Sequence, residues 1–170
     1  MYTRHAVVGT VLGDVTIVAT GEAVVGLYFP HHWHRPAQDT FGVPVPIADD
    51  ELLLRAATQV GEYLAGDRTG FDLPVATAGD PFQEQVWSLL REIPRGETTT
   101  YGAIAVQLGD KALAQRVGQA VGRNPLCVIV PCHRVVGADG GLTGYAGGIP
   151  RKKYLLELEE PAEVKAARLF

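Results

Sequence analysis

The chain has 170 residues, of which 46% are hydrophobic, and its mean hydropathy is +0.07. A chain of this size can bury a core without disulfides or a structural metal, and none of its apolar runs approaches the roughly 18 residues of a membrane helix. The net charge of −4 and the pI near 5.7 exclude a globally basic nucleic-acid binder, although a local basic patch is enough to hold phosphates.

The first part of the chain has the alternating pattern of β-strands. Apolar and polar residues alternate over residues 13–19 and 23–29, and Gly21 and Glu22 stand between them as a turn. This pattern predicts an antiparallel meander. Residues 1–6 lack the charged-then-apolar layout of a signal peptide. We therefore expect a cytoplasmic protein with no membrane association.

A segment with three prolines, residues 31–47, follows the predicted strands and is typical of a loop. It contains His31, His32 and His34 beside Trp33. Three imidazoles so close together can ligate a metal, but no cysteine or carboxylate accompanies them at ligand spacing. We interpret the segment as a solvated loop and predict neither a metal nor a cofactor.

Helical patterns dominate the rest of the chain. Apolar residues recur at helical spacing over residues 49–64, and Gly66 follows as a stop. After a linker at residues 70–79, Asp80 can cap a helix that has Pro81 at its first position. The pattern predicts an α+β protein with two domains. A small antiparallel sheet with a helix occupies residues 1–79, and a mainly helical domain occupies residues 80–170.

Two short helices are predicted next, over residues 101–108 and 112–121, with Gly109 and a brief turn between them. This arrangement predicts a helix-turn-helix. Small residues, among them Ala114 and Gly118, lie along the second helix. Their size would let that helix approach a backbone or a groove closely.

Cys132, in the sequence Pro-Cys-His-Arg, is the candidate nucleophile. A thiol reacts as its thiolate and needs a base or a positive field beside it, which His133 and Arg134 supply. Residues 126–130 are almost wholly apolar and predict a buried extended segment, in which Cys127 is an inert core thiol. Neighbouring side chains diverge in such a segment, so we expect His133 to reach Cys132 through a water or a turn and not by direct contact. Taken alone, the motif fits a structural cysteine beside an unrelated histidine at least as well.

Two further features belong to the candidate site. A carboxylate usually orients a histidine base, and Glu157 and Glu159, on a helix predicted over residues 151–159, are both candidates. Residues 137–148 are too rich in glycine for a helix and predict a loop that can pass close to a ligand. Tyr145 stands among these glycines, which favours a role in a pocket.

Four segments carry a resemblance to a known family. They are residues 82–87 (FQEQVW), 124–137 (NPLCVIVPCHRVVG), 144–148 (GYAGG) and 151–159 (RKKYLLELE), in the order and spacing of that family. On these motifs the second half of the chain resembles the O6-alkylguanine-DNA alkyltransferases, also called methylated-DNA–protein-cysteine methyltransferases. The first half is similar only in its layout of strands followed by a helix.

The resemblance implies DNA repair by direct transfer. An alkyl group would pass from O6-alkylguanine in duplex DNA, after the nucleotide has been flipped out, to a cysteine that keeps it. The protein would thus be a methylated-DNA–protein-cysteine S-methyltransferase that reacts once, with double-stranded DNA as its partner and no cofactor. We expect a monomer. Activity on O4-alkylthymine and clustering on DNA stay open.

The resemblance also implies the site residues. Cys132 is the alkyl acceptor, His133 is the base, Glu159 orients His133, and Asn124 ties the preceding turn together. The residues implied to hold the guanine are Tyr101, which donates to it and helps to rotate it, and the pocket walls Val135, Tyr145 and Ala146. The residues implied to contact DNA are Ala114, Gln115, Arg116, Gly118 and Arg123.

One position departs from the family pattern. The family usually has an arginine two residues before Val-Gly in the recognition helix, where it fills the gap left by the flipped nucleotide. This chain has Gln115 at that position, and Arg116 is shifted by one residue, which turns a side chain by about 100° on a helix. Either Gln115 fills the gap or the helix seats differently on DNA.

Few cations are available to meet phosphates on this acidic chain. The expected ones are chiefly Lys111, Arg116, Arg123 and Arg134, with a few others. About four neutralised phosphates predict a slope near −3.6 for log affinity against log salt. The basic run that begins at Arg151 is interpreted as a solvated helix start.

Two other functions are compatible with parts of the pattern. A cysteine hydrolase would also use Cys132 and His133, but it would need an oxyanion hole and would turn over. A non-catalytic alkyltransferase-like protein would mark lesions without repairing them. Proteins of that kind lack the reactive cysteine, which is present here.

Overall fold

The computed structural model describes residues 2–168, so the outer ends of the two predicted domains, residues 1 and 169–170, lie outside it. Its first part is a sheet of four strands. They are β1 (Thr3–Thr10), β2 (Gly13–Thr20), β3 (Ala23–Tyr28) and β4 (Val43–Pro44), in the order β3-β2-β1-β4. The antiparallel pairing of β1, β2 and β3 confirms the meander. The sheet was predicted to be antiparallel. In the structure, however, the edge strand β4 runs parallel to β1.

Helix α1 (Glu51–Leu64) packs against this sheet. The Asp50 carboxylate accepts a hydrogen bond from the Leu53 backbone N–H at 3.0 Å, which caps the helix. Asp50 also pairs with Arg4 of β1 at 2.7 Å. The buried face consists of Leu53, Ala56, Gln59, Val60, Tyr63 and Leu64. Its spacing of three and four residues explains why this segment is a helix with one side in the core.

Helix α2 (Pro81–Arg91) begins where the sequence predicts it. The Asp80 carboxylate accepts from the Gln83 backbone N–H at 2.8 Å, and the Gln83 side chain accepts from the Asp80 N–H at 3.0 Å. This reciprocal capping box satisfies two N–H groups that the first turn would leave unpaired. The Trp87 indole donates to the Ala120 carbonyl at 2.8 Å, which ties α2 to the helix that contains Ala120.

The two helices of the predicted helix-turn-helix are α3 (Tyr101–Gln107) and α4 (Ala114–Gly122). The Thr100 hydroxyl caps α3 by accepting from the Ala103 N–H at 3.1 Å. Gly109 follows α3 with a φ of +107°, a backbone conformation that glycine adopts without strain. The start of the second helix was predicted at residue 112, but residues 111–113 form a 3-10 turn.

Residues 126–130 do not form the predicted extended segment. Leu126 makes one bridge with Leu27, and the chain then turns, so that the Val130 N–H donates back to the Leu126 carbonyl at 2.8 Å. Val128 has a φ of +74°. The prediction was wrong because an apolar run indicates burial without indicating the backbone conformation.

The last part of the chain differs from the prediction in three further ways. Residues 132–134 form a 3-10 turn that leads into β6 (Val135–Val136), which pairs in parallel with β5 (Thr99–Thr100). Helix α5 (Ile149–Glu159) begins two residues earlier than predicted. A further helix, α6 (Ala162–Arg168), was not predicted.

The outer edge of β3 holds the segments that build the site. The Val24 N–H donates to the Pro74 carbonyl, and the Leu27 N–H donates to the Pro125 carbonyl, both at 2.8 Å. Buried apolar residues from the sheet, α1, α2, α4 and α5 form one continuous cluster. The division into domains at residues 79 and 80 stays a prediction. Within residues 2–168, no helix has the length and apolar character of a membrane span.

Candidate active site

A tight turn positions Cys132. The Asn124 side chain donates to the Val130 carbonyl at 2.9 Å and accepts from the Leu126 N–H at 3.0 Å. Asn124 is buried, so both bonds are shielded from water. The Cys132 N–H then donates to the Val130 carbonyl at 2.8 Å. The hydrogen bonds of Asn124 thereby hold the turn closed, which fixes the position of the Cys132 thiol.

His133 and Glu159 form a fully buried pair. His133 Nε2 lies 2.8 Å from Glu159 Oε2. Burial lowers the pKa of His133 despite the opposing effect of Glu159, so the imidazole is neutral at neutral pH. A carboxylate can only accept, so Nε2 carries the proton and Nδ1 has a free lone pair. Among the described residues, Nδ1 has no hydrogen-bond partner, which leaves it available as a base.

Glu159 is the centre of a wider buried network. Arg134 donates to both Glu159 oxygens, at 2.9 and 3.0 Å, and the Tyr63 hydroxyl donates to Oε2. Burial alone would raise the pKa of Glu159, but hydrogen bonds from His133, Arg134 and Tyr63 lower it to about 2. The carboxylate is therefore charged throughout the physiological range. Of the two carboxylates that the sequence proposed, Glu159 faces His133, and Glu157 is exposed and pairs weakly with Lys153.

The Cys132 thiol is buried, and its neighbour is a second thiol. Cys132 Sγ lies 3.9 Å from Cys127 Sγ, which in turn lies 3.6 Å from His32 Nε2. Hydrogen bonding from Cys127 lowers the pKa of Cys132, and this effect outweighs burial, with Asn124 and Lys152 contributing further. The pKa of Cys127 is raised correspondingly. Of the two thiols, Cys132 is therefore the one that loses its proton more readily.

Cys132 lines a cavity of about 300 Å³. Other residues that line the cavity come from four separate parts of the chain, which include Trp33, Tyr101, Gln115 with Gly118, and Tyr145 with Ala146. The Tyr101 hydroxyl bonds with the Thr143 hydroxyl at 2.9 Å, which connects α3 to the glycine-rich loop. Val135 was expected to be a wall of this cavity. It does not line the cavity, because its side chain is packed in the core.

The proposed DNA-contacting residues point in different directions. Gln115 and Gly118 face the Cys132 cavity, whereas the Arg116 guanidinium stacks on the Phe82 ring, 3.9 Å from its centroid. Ala114 is partly buried and packs against the core. Arg123 is exposed, at the end of α4. Gln115 rather than Arg116 therefore faces the cavity.

Arg134 is not available for a phosphate, and that expectation was wrong. It is buried, with Glu159 as its ionic partner, and its Nη1 donates to the Ile93 carbonyl at 2.7 Å. A guanidinium held by a carboxylate and a carbonyl in the interior cannot reach DNA. Arg151, at the start of the basic run, is likewise engaged, since it donates to the Leu12 and Gly147 carbonyls at 2.8 Å.

The histidine segment is not wholly solvated, which corrects the interpretation of His32. His32 is buried, and its Nδ1 accepts from the Phe29 N–H at 3.3 Å. Burial lowers its pKa to about 4, with Arg35 and Arg151 adding to the effect, so the ring is neutral. Within residues 2–168, no group of three or more His, Cys, Asp and Glu side chains is arranged to hold a metal ion.

Sequence reasoning missed two functional side chains. Lys152 is buried, and its ammonium donates to the Val135 carbonyl at 2.6 Å and the Thr143 carbonyl at 3.2 Å, which holds the glycine-rich loop. The sequence did contain a signal for the buried position of Lys152, because its spacing places it on one face of α5 with Leu155 and Glu159. His32 gave no such signal, since its contact with Cys127 joins residues 95 positions apart.

Comparison with known proteins gives consistent results. Residues 81–161 match the family described as 6-O-methylguanine DNA methyltransferase, DNA binding domain. The methylated-DNA–protein-cysteine methyltransferase of Mycobacterium tuberculosis is 42% identical over 98% of each chain. The inducible one of Bacillus subtilis is 44% identical over 81% of this chain and 80% of its own.

A solved structure resembles the whole fold. The crystal structure of Mycobacterium tuberculosis OGT in complex with DNA superimposes with a TM-score of 0.82 at 40% sequence identity. The match covers 95% of this chain and 97% of the other. The similarity therefore extends to the sheet and α1, where the sequence motifs did not reach.

Proposed function

Because the chain belongs to the methylated-DNA–protein-cysteine methyltransferase family, we propose that it repairs O6-alkylguanine in duplex DNA by moving the alkyl group onto Cys132. The observation that carries this proposal is the position of the Cys132 thiol. It lines a cavity beside a neutral His133 whose other nitrogen is held by Glu159. That arrangement provides a nucleophile, a proton acceptor and a space for a nucleobase that has been rotated out of the DNA duplex.

Binding comes first in the proposed mechanism. An alkyl carbon on O6 of guanine is hidden in the base stack, so the nucleotide must be rotated out, at a cost of a few kcal/mol. The recognition helix α4 would lie against the groove, with Gln115 at the gap that the nucleotide leaves. The flipped guanine would occupy the cavity, where the Tyr101 hydroxyl donates a hydrogen bond to it and the loop around Tyr145 covers it.

Transfer follows from the two buried pairs. His133 Nδ1 takes the Cys132 proton through one water, while Glu159 stabilises the imidazolium that forms. The thiolate attacks the alkyl carbon, so that the Sγ–C bond forms as the C–O6 bond breaks. The guanine leaves as an anion and takes up the proton that Cys132 released, returned from His133 through water, to become ordinary guanine. The product is a thioether without an electrophilic carbonyl, so water cannot release it, and each molecule reacts once.

The test is an intact-mass measurement with excess duplex that carries O6-methylguanine. We expect the protein mass to rise by one methyl group, and the repaired guanine to reach one equivalent of protein and no more. Peptide mapping should locate the methyl group on Cys132. Continued release of product beyond one equivalent would instead indicate a hydrolase, and a methyl group on Cys127 would contradict the assignment of the acceptor.

Gln115→Arg should accelerate repair of duplex DNA. Glutamine is shorter than arginine and uncharged, so it fills the vacated stack less completely and offers no attraction to phosphates. We expect a several-fold faster transfer from duplex DNA, with an unchanged rate on the free modified base, because only the duplex reaction requires flipping.

Gln119→Arg is the matched control for this variant. Gln119 lines the same cavity one helical turn further along α4, so the change adds the same charge at a different place. Only Gln115→Arg should change the duplex rate relative to the free-base rate. Equal changes on both substrates would mean that Gln115 acts in the pocket and not in flipping.

The salt dependence of DNA binding should be weaker than the sequence alone predicted. With Arg134 buried, three of the four expected cations remain exposed: Lys111, Arg116 and Arg123. About three neutralised phosphates give a slope near −2.7 for log affinity against log salt. Titration of duplex binding across salt concentrations measures this slope, and Arg123→Gln should reduce it by about 0.9. A slope near zero would show that these cations do not meet phosphates.

A further inference from the structure

The two cysteines of the chain are neighbours in a closed turn. Their Sγ atoms are 3.9 Å apart, and a disulfide requires about 2.05 Å. The turn that joins them is pinned by Asn124 and reverses at Val128, whose φ of +74° is rare for a β-branched residue. The backbone is therefore bent so that residues five apart bring their sulfur atoms together.

A line of hydrogen bonds gives the two thiols different characters. The Phe29 N–H can only donate, so His32 Nδ1 accepts, and in the neutral ring Nε2 carries the proton that faces Cys127 Sγ. Cys127 in turn can donate its S–H to Cys132 Sγ. The line ends at Cys132, which lines the open cavity, whereas Cys127 is fully buried behind it. An oxidant that enters the cavity therefore meets Cys132 first.

We propose that Cys127 is a resolving cysteine, which forms a reversible disulfide with Cys132 when a hydroperoxide oxidises the acceptor thiol. This inference goes beyond alkyl transfer and does not depend on it. It rests on the two adjacent sulfur atoms, the turn that joins them and the access of a small oxidant to one of them. The pKa of Cys132, which is lowered chiefly by Cys127, further favours its oxidation.

The chemistry balances with hydrogen peroxide as the oxidant. The Cys132 thiolate attacks one peroxide oxygen, the O–O bond breaks, and the released hydroxide takes a proton to leave as water. Cys132 is then a sulfenic acid. Cys127 Sγ attacks Cys132 Sγ, the S–S bond forms, and the S–O bond breaks. The departing hydroxide takes the Cys127 proton and leaves as a second water. Two thiols have lost two electrons to one peroxide.

The disulfide would suspend the acceptor and preserve it. A sulfur in a disulfide cannot attack an alkyl carbon, so alkyl transfer stops until a dithiol reduces the bond. Without a resolving thiol, the sulfenic acid can be oxidised further to a sulfinic acid, which dithiols do not reduce. For a protein that can react only once, this difference decides whether an oxidised molecule is lost before it meets a lesion.

The experiment treats the full-length protein with hydrogen peroxide and examines the unreduced tryptic peptide of residues 124–134, which contains both cysteines. We expect the peptide to become lighter by two hydrogen atoms and to have no free thiol. Alkyl transfer should fall in proportion to the amount of this lighter peptide and return fully after treatment with dithiothreitol. The peptide mass is read without any alkylated DNA, so it remains decisive if alkyl transfer itself is not observed.

Cys127→Ser and Cys127→Ala are the matched variants. In both, the same treatment should add two oxygen atoms to Cys132, giving a sulfinic acid, so dithiothreitol should fail to restore the transfer that each variant had before oxidation. Protein that has already been alkylated on Cys132 should keep Cys127 as a free thiol. A wild-type peptide that gains oxygen while Cys127 stays free, or that becomes linked to a second chain, would overturn the proposal.

Discussion

Replacing Cys132 with serine is expected to abolish alkyl transfer while leaving duplex binding intact. A serine hydroxyl does not ionise under the conditions in which the Cys132 thiol does, and an un-ionised hydroxyl is a poor nucleophile towards an alkyl carbon. Cys132 is 3% exposed and has a near-isosteric replacement in serine, so the fold should tolerate the change. The measurement is transfer of a labelled methyl group from duplex DNA to protein, together with the binding affinity of the same duplex.

Cys127→Ser is the appropriate control for this variant. It removes the neighbouring thiol and retains the acceptor, so a methyl group should still be found on Cys132. Its transfer rate should fall at low pH relative to the wild type, because Cys127 helps to keep the pKa of Cys132 below its ordinary value. Residual transfer to the Cys132→Ser protein, at any residue, would show that Cys132 is not the sole acceptor.

Glu159→Gln should lower both stability and activity. The amide keeps the shape of the side chain but removes the negative charge that faces His133 and Arg134, and it leaves the buried guanidinium without a counter-ion. Removing one partner of a buried ion pair costs about 3 to 5 kcal/mol of unfolding free energy. Urea titration of the variant and the wild type at neutral pH measures the loss.

The same carboxylate predicts how stability changes with pH. The pKa of Glu159 is about 2 in the folded protein, against an ordinary value of 4.5. Its charged form therefore stabilises the fold above about pH 4.5, and this contribution is lost as the pH falls towards 2. The shift corresponds to about 3 kcal/mol. Glu159→Gln should lack this component of the acid-induced loss of stability.

Glu157→Gln provides the control on the same helix. Glu157 is exposed, with Lys153 at 4.0 Å as its ionic partner, so neutralising it should change the unfolding free energy by less than about 0.5 kcal/mol.

Glu159→Gln should also raise the pKa of Cys132 in thiol-reactivity titrations, since His133 loses its orienting partner. Equal behaviour of the two variants would remove Glu159 from the proposed relay.

The sequence by itself determined the elements whose signals are local. The capping box of Asp80 and Gln83 and the apolar spacing of α1 depend on residues within one or two turns, so their pattern in the chain is sufficient to predict them. The Pro-Cys-His-Arg motif with its companion segments likewise identified the family. The different directions of the Gln115 and Arg116 side chains also follow from helix geometry alone, since one residue turns a side chain by about 100°.

Only the tertiary structure decided which buried polar groups meet. Arg134 belongs to the interior because Glu159 and the Ile93 carbonyl lie there to receive it, and its neighbours in the sequence contain no sign of either. His32 reaches Cys127 because the edge of β3 holds the turn that contains Cys127. Residues 126–130 turn instead of extending because Asn124 supplies the hydrogen bonds that close the turn. In each case the partner comes from outside the local pattern, and a buried polar group is stable only where such a partner satisfies it.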